Sequence, residues 1–302
     1  MPFLPPRRYT SAFMSAEKTE TGWPPPEVDF ETLSPMRRAL KRALINPLAN
    51  YLPAGCVRAL LRAAKSELAA ANWADPGGWR SMVLSYDGRA RQIADRILIN
   101  AGTMAMALRN RKRLGSFLIA RLIDSAGSGP VHVVCLGAGP GQIIIDALAR
   151  SNPTARASLV DHSADAFAFG RELADRSGLG DRVRYIQADV RGFQEFLDGP
   201  ADAVTMLGIC EYLGDEHIVS TARAAADVMP DNAPIVFNSL SFAHGTDRFF
   251  RRVFGLHMIH RGPEQMKQLM SEAGFGEFRA HGEPLGVYHV IVGRKLAVAG
   301  GG

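Results

Sequence analysis

Val131-His-Val-Val-Cys-Leu-Gly137-Ala-Gly139-Pro-Gly141-Gln142, running on into Ile143-Ile-Ile-Asp-Ala-Leu148, is the stretch on which the reading of this chain turns. Six mostly apolar residues of strand length lead into three glycines within five positions, and helical spacing resumes after Gly141. Glycine is needed where the backbone must turn sharply and approach a ligand with no Cβ in the way. The unpaired N–H groups of the following helix favour an anionic group such as a phosphate or a carboxylate. Glycine turns also serve as mere connections, so the neighbouring segments must decide.

Downstream, short apolar runs recur at ASLVD (157–161), RVRYIQ (182–187), ADAVTML (201–207) and PIVFNS (234–239). Helical stretches separate them at Gln142–Arg150, Ser163–Ser177, Gly192–Leu197 and Glu216–Met229. This alternation predicts a parallel sheet with helices on both faces. A helix at Pro263–Ala273 then precedes FGEFRAHG (275–282) and GVYHVIVGRK (286–295), a hairpin-like pair that closes the sheet. The expected fold is α/β: a Rossmann-like, seven-stranded, mostly parallel sheet with an antiparallel last strand, plus an N-terminal helical cap.

The strand ends carry the chemistry. The second strand ends in Asp161, twenty residues past Gly141, where a carboxylate can accept both hydroxyls of a ribose. The third ends in Ala188-Asp189-Val190, where a carboxylate can meet the exocyclic amine of a purine. Together with the glycine loop they predict a nucleoside site at the carboxyl edge of the sheet. The glycines fall as G-x-G-x-G with Gln142 in the sixth place, which departs from the G-x-G-x-x-G of dinucleotide sites.

The pattern resembles the class I S-adenosylmethionine-dependent methyltransferases over roughly residues 131–295. That resemblance implies S-adenosyl-L-methionine as cofactor. It places Gly137, Gly139 and Gly141 at the methionine part, Asp161 at the ribose with His162 beside the adenine, and Asp189 with the Val190 N–H at the adenine edge. Gly208, in Leu207-Gly208-Ile209, is expected at the sulfonium or amino end, and Tyr86 from the helical region as an aromatic lid. One departure is Cys135, which stands where the family often has an acid, two residues before the first glycine.

Methyl transfer is an in-line displacement that relies on positioning and, for a hydroxyl or amine acceptor, on removal of a proton. The candidate catalytic residues are Glu211 and Tyr212 after the fourth strand and Asn238 and Ser239 in the fifth, with His244 close behind. His257, His260 and His289 read as surface or structural residues. An N/D-P-P-Y signature is absent, which lowers the weight of amide and nucleobase acceptors, and no Cys/His/Asp cluster has metal-ligand spacing. The expected function is methyl transfer to a small molecule, in the setting of specialised metabolism. The alternative is a non-methylating use of the same cofactor: cyclisation to azetidine-2-carboxylate with release of methylthioadenosine, or nicotianamine-synthase-like aminocarboxypropyl transfer. A non-catalytic RNA-binding module is a minor alternative.

Upstream the texture differs. Residues 1–33, rich in proline, read as a flexible arm or lid. Residues 34–128 read as a helical cap, 129–296 as the cofactor domain and 297–302 as a disordered tail. Ser34-Pro35 marks a helix start, with Met36, Leu40, Leu44 and Ile45 on one stripe and Arg37, Arg38, Lys41 and Arg42 around it. A second helix is expected over Gly55–Asn72, with Val57, Leu60, Leu61 and Leu68 apolar, and a longer helical block over Trp79–Ile123 that breaks near Tyr86-Asp87-Gly88. Residues 1–130 hold 19 Lys/Arg against 10 Asp/Glu, a balance of +9, whereas the remainder hold 16 against 20. Such asymmetry can mark a nucleic-acid face, but few aromatics interleave with the basic residues, so attraction between cap and sheet domain is the plainer account. Three scattered cysteines and no long apolar run or signal-like leader fit a cytoplasmic protein with no membrane span. The oligomeric state is left open.

Overall fold

A computed structural model describes residues 24–127 and 129–297. The expected arm before residue 24 and the tail after residue 297 lie outside the described residues.

Seven strands form one sheet: β1 (His132–Leu136), β2 (Arg156–Asp161), β3 (Val183–Gln187), β4 (Ala203–Met206), β5 (Pro234–Leu240), β6 (Phe275–Gly282) and β7 (Tyr288–Lys295). Their spatial order is β3-β2-β1-β4-β5-β7-β6. The first five are mutually parallel, and β7 runs antiparallel to both β5 and β6, as the sequence predicts. Strand order reverses between β1 and the β4 side, so the carboxyl end of β1 opens on a crevice suited to a ligand.

Period-2 alternation divides the sheet between two cores. Val134 and Leu136 of β1 join Val204, Met206, Ile235 and Phe237 on one face. Val133 and Cys135 join Leu159 and Val236 on the other. The second face is shared by the Gln142–Leu148 helix and by a 23-residue helix, Thr103–Ser125, which packs on β5 and β7 and is the key to the molecule's architecture. Its far half packs Leu114, Leu118, Ile119, Leu122 and Ile123 against the sheet. Its near half packs Met104, Met106 and Leu108 into a third core, with Leu61, Phe249 and Phe254, under the N-terminal helices.

Those helices, numbered in chain order, are α1 (Pro35–Leu40), α2 (Asn46–Tyr51), α3 (Ala54–Ala63), α4 (Glu67–Ala74) and α5 (Trp79–Asp87); Thr103–Ser125 is α6. Ser34 caps α1 by accepting from the Arg37 N–H. A π turn over Lys41–Ile45 joins α1 to α2. Two expectations need correction here. The Gly55–Asn72 segment is two helices, because Lys65 adopts φ +52° and Ser66 starts α4 as an N-cap, accepting from the Ala69 N–H at 3.0 Å. The stripe Met36, Leu40, Leu44 and Ile45 is exposed, as is Leu60. Periodicity identifies an apolar face, but burial also needs a facing element; Met36, Leu40 and Leu44 stay open, and Ile45 borders an apolar cavity.

The Gly192–Leu197 segment shortens to a 3₁₀ turn, Phe193–Phe196. The break at Tyr86-Asp87-Gly88 holds: α5 ends at Asp87 and Gly88 turns with φ +64°. The described part of the proline-rich arm is docked. Glu31 takes two hydrogen bonds from Arg109 of α6, at 2.5 and 2.7 Å, and its backbone N–H and C=O pair with Asn110. Among the described residues, the ion pairs Arg80–Asp165, Arg111–Glu211 and Lys112–Asp146 join the basic and acidic portions of the chain. No described helix is long and apolar enough to cross a membrane.

Candidate active site

After β1 the chain must reverse over the sheet edge within five residues. Gly137 takes φ +65° and Gly141 φ +82°, backbone conformations that cost most residues roughly 1 kcal/mol or more. Space is as decisive as torsion. A Cβ on Gly137 would lie 1.6 Å from Ile209 Cγ2, and one on Gly141 2.3 Å from Leu159 Cδ1. The loop is pinned to the next strand: the Ala138 N–H donates to the Val160 carbonyl, and the Gly139 N–H to Asp161 Oδ2 at 2.8 Å. Asp161 Oδ1 accepts from the Ser163 N–H at 2.9 Å. Each carboxylate oxygen keeps a second lone pair, so Asp161 is held in place yet can still accept from a ligand.

All nine residues expected at the cofactor line two adjoining concavities that share Gly137, Asp161, His162 and Tyr212. The inner one, about 180 Å³, adds Gly139, Gly141, Gly208 and Tyr86; the outer, about 450 Å³, adds Asp189 and Val190. His162 is almost fully exposed at the rim. Asp189 is also exposed and is gripped by Arg191, whose Nη2 lies 2.5 Å away, which holds the carboxyl down at about 2. Cys135 lies on the cleft floor, and burial pushes its thiol up to about 12, so it stays neutral.

The roof was not legible as part of the site. The Asp75-Pro76-Gly77-Gly78 turn and Trp79 close over the glycine loop, with Trp79 Cβ 3.5 Å from where a Gly139 Cβ would stand. Two glycines directly before a helix were the available signal. Arg111, from the middle of α6, also lines the inner cleft.

Arg111 anchors a buried polar chain. Its Nη1 pairs with Glu211 Oε1 at 2.7 Å, and its Nη2 donates to the Tyr86 hydroxyl at 2.9 Å. Glu211 Oε2 accepts from Asn238 Nδ2, and Asn238 Oδ1 accepts from the Gly208 N–H at 2.7 Å. The guanidinium also lies over the Tyr288 ring, 4.6 Å from its centroid. Burial works against the Arg111 charge, but Tyr86, Tyr288 and Glu211 outweigh it and hold the group ionised.

This chain redistributes the four expected catalytic residues. Glu211 and Asn238 are 2% and 1% exposed, line none of the concavities described here, and spend their polar atoms on each other, Arg111 and Gly208. Ser239 is buried, with its hydroxyl toward His289 Nδ1. Tyr212 alone faces the cleft. It lines both cofactor concavities and a third one, an apolar cavity of about 260 Å³ between cap and sheet. Burial, then the neighbouring Glu211 carboxylate, raise its phenol above the ordinary value. His244 is fully buried, bonded through Nε2 to His260 at 3.0 Å, and burial pushes it down to about 4.

Residues 133–232 match the family described as "Methyltransferase domain". With the strand order and glycine cleft above, that decides the assignment. The segment is a class I S-adenosylmethionine-dependent methyltransferase domain. The chain is 30% identical over 163 residues to the phenazine O-methyltransferase PhzM of Lysobacter antibioticus, covering 51% of this chain and 46% of that protein. It thus spans less than half the length of the curated relatives it matches. Among solved structures, a possible exported protein from Bordetella parapertussis matches with a TM-score of 0.63 at 17% identity, covering 88% of this chain and all of the other. The pyocyanin biosynthetic protein PhzM matches with a TM-score of 0.53 at 17% identity, covering 86% and 72%. At these identities the structural likenesses speak to the fold.

S-adenosylmethionine is the cofactor of this domain class, and the cleft of this methyltransferase domain fits it. The glycine cradle admits no Cβ at Gly137, and Asp161 sits ready at the β2 end. Two buried polar atoms in the cleft wall, Gln142 Oε1 and Arg111 Nε, have no protein partner. Buried groups of this kind are ordinarily satisfied by ligand or water.

Proposed function

We propose that this chain transfers the methyl group of S-adenosylmethionine to an apolar small-molecule acceptor bound between cap and sheet. The observation that carries this reading is the apolar cavity itself. It meets the cofactor cleft at Gly77, Met82 and Tyr212, so a molecule within it abuts the place where the sulfonium end is expected. Phe249, Phe254, Leu256 and Tyr288 supply much of its apolar wall, and Asn72, Ser81, Ser85 and Thr103 are among its polar groups, the composition of a small-molecule site. The name of the Lysobacter relative, an O-methyltransferase of phenazines, agrees with an acceptor of this kind.

The cofactor supplies an electrophilic methyl group on a cationic sulfur. Asp161 would hold the ribose, Asp189 and Val190 the adenine edge, the glycine loop and Gly208 the methionine part, with the Arg111 Nε–H and Gln142 Oε1 as further polar partners. Tyr86, tethered to Arg111, would form the wall rather than a swinging lid. Tyr212, a neutral phenol, would orient the acceptor through its hydroxyl. On this reading residues 129–296 would hold most of the cofactor, with Trp79, Tyr86 and Arg111 of the cap closing over it, and the acceptor would lie between the two parts. The free Cys56, Cys135 and Cys210 agree with a reducing, cytoplasmic setting.

Purified protein with S-adenosylmethionine and a panel of hydroxylated aromatic compounds is expected to form S-adenosylhomocysteine only when an acceptor is present. Methylthioadenosine released from the cofactor alone would instead establish cyclisation or aminocarboxypropyl chemistry and overturn the methyl-transfer reading. Tyr212→Phe is expected to lower kcat about tenfold, the loss of one orienting hydrogen bond, while the Kd for S-adenosylhomocysteine changes less than threefold.

A further inference from the structure

The apolar cavity has a charged mouth. Lys41, in the π turn between α1 and α2, lines the cavity and also a neighbouring concavity of about 310 Å³. Arg38 and Arg42 line that outer concavity too, beside Phe242 and Leu285. The Lys41 ammonium donates to the Ala101 carbonyl and to Thr103 Oγ1, the latter at 3.0 Å. Arg38 donates to the Pro284 carbonyl at 3.3 Å. Among the described residues, none of these three cations has a carboxylate partner, whereas Arg80, Arg109, Arg111, Lys112 and Arg113 each have one.

A half-buried ammonium satisfied only by neutral oxygens is an unusual arrangement. Taking the charge partly out of water is costly, and burial lowers the affinity of Lys41 for its proton. Carbonyl and hydroxyl oxygens replace lost hydration but bring no opposite charge. An anion at this point would bring it, in a setting drier than bulk water and flanked by two further cations. Position makes the arrangement specific: Lys41 and Asn46 line both concavities, so one ligand can reach from the apolar cavity into the charged mouth.

We infer that Lys41, flanked by Arg38 and Arg42, forms a carboxylate subsite, and that the acceptor is an amphipathic acid whose apolar body fills the cavity while its carboxylate lies at the mouth. The inference rests on the reading of the apolar cavity as the acceptor site. It goes beyond that reading by giving the acceptor a charge and a direction of entry. The tip that meets Tyr212 receives the methyl group, and the opposite end carries the anion. The basic excess of the cap then acquires a function, since an approaching acid meets three cations at the only charged rim described for this cavity.

The test uses the full chain saturated with S-adenosylhomocysteine and two probes of matched shape, 2-naphthoate and the neutral 2-naphthylmethanol, followed by calorimetric titration. Wild type is expected to bind the acid at least tenfold more tightly. Lys41→Met is expected to erase that preference while binding the alcohol within twofold of wild type. Lys41→Arg should retain most of it, and Arg42→Gln, at an exposed position, should reduce it about threefold with no change in Tm. Equal affinity of wild type for the two probes, no binding of either at millimolar concentration, or an equal loss of both in Lys41→Met would overturn the subsite. Methyl transfer is scored separately by acceptor-dependent S-adenosylhomocysteine formation. A charge preference without turnover would therefore sink the catalytic reading and spare this one, and the reverse result would do the opposite.

Discussion

At the scale of single residues, the buried pair Arg111–Glu211 is the most exacting contact in the molecule. Both side chains are 1% exposed, and each is held by further polar partners. Removing one partner leaves the other charge buried and alone, so Glu211→Gln is expected to destabilise the chain by about 3–5 kcal/mol in urea titration. A loss below about 1 kcal/mol would show that water reaches Arg111 and that the pair is not sealed. Gly137→Ala is a different kind of lesion. The new methyl group meets Ile209 and the torsion is unfavourable, so binding of S-adenosylhomocysteine should weaken at least tenfold. Unchanged affinity would show that the cradle yields. The glycines, Asp161 and Asp189 were legible because loop sterics and strand ends leave local marks. Arg111 was not: a basic residue inside a helix rich in Arg and Lys reads as solvated face, and only its distant partners, Tyr86 and Glu211, make it part of the cleft. Glu211, Asn238 and Ser239 were placed near the right strand ends, but sequence does not say which way a side chain points once its strand is covered.

At the scale of elements, strands were read to within one or two residues at most of their ends, since alternating burial and flanking turns are local properties. The helices before residue 100 were read less well. Ser66 and Lys65 divide one expected helix into two, a choice made by an N-cap and by contacts to Asp95, 29 positions away. The stripe over α1 and the π turn carries the period of a buried face, yet Met36, Leu40 and Leu44 remain open, because a period describes the helix and not its surroundings. Helix α6 is the strongest test of packing. Leu118 is 1% exposed against the sheet. Leu118→Ala is therefore expected to lower stability by about 2–5 kcal/mol, read as a shift in urea midpoint at constant slope. A smaller effect would mean that the layer can collapse around the void.

For the whole molecule, four buried or half-buried histidines contribute to the pH dependence of stability. Burial lowers His132, His244, His260 and His289 below the ordinary imidazole value, His244 to about 4. A histidine depressed in the folded state is protonated first in the unfolded chain. The contribution of these histidines is thus fully present above about pH 6.5 and is lost as the pH falls, for His244 toward 4. His244 alone corresponds to about 3 kcal/mol over that window, to order of magnitude. His244→Asn is expected to flatten the decline measured by urea titration at stepped pH, and an unchanged slope would assign it elsewhere.

The division of α6 between two cores bears on how the chain comes apart. One rigid rod supplies the roof of the sheet and the floor of the cap, so neither can lose order while the other keeps its contacts. Melting should be a single cooperative event, with calorimetric and van't Hoff enthalpies in agreement. A fragment starting at residue 129 would lose Leu114, Leu118, Ile119, Leu122 and Ile123, which share a core with Val236, Val290 and Val292 of the sheet. On that expectation, what looks in sequence like a portable catalytic module behind a detachable cap would fold and unfold as one unit.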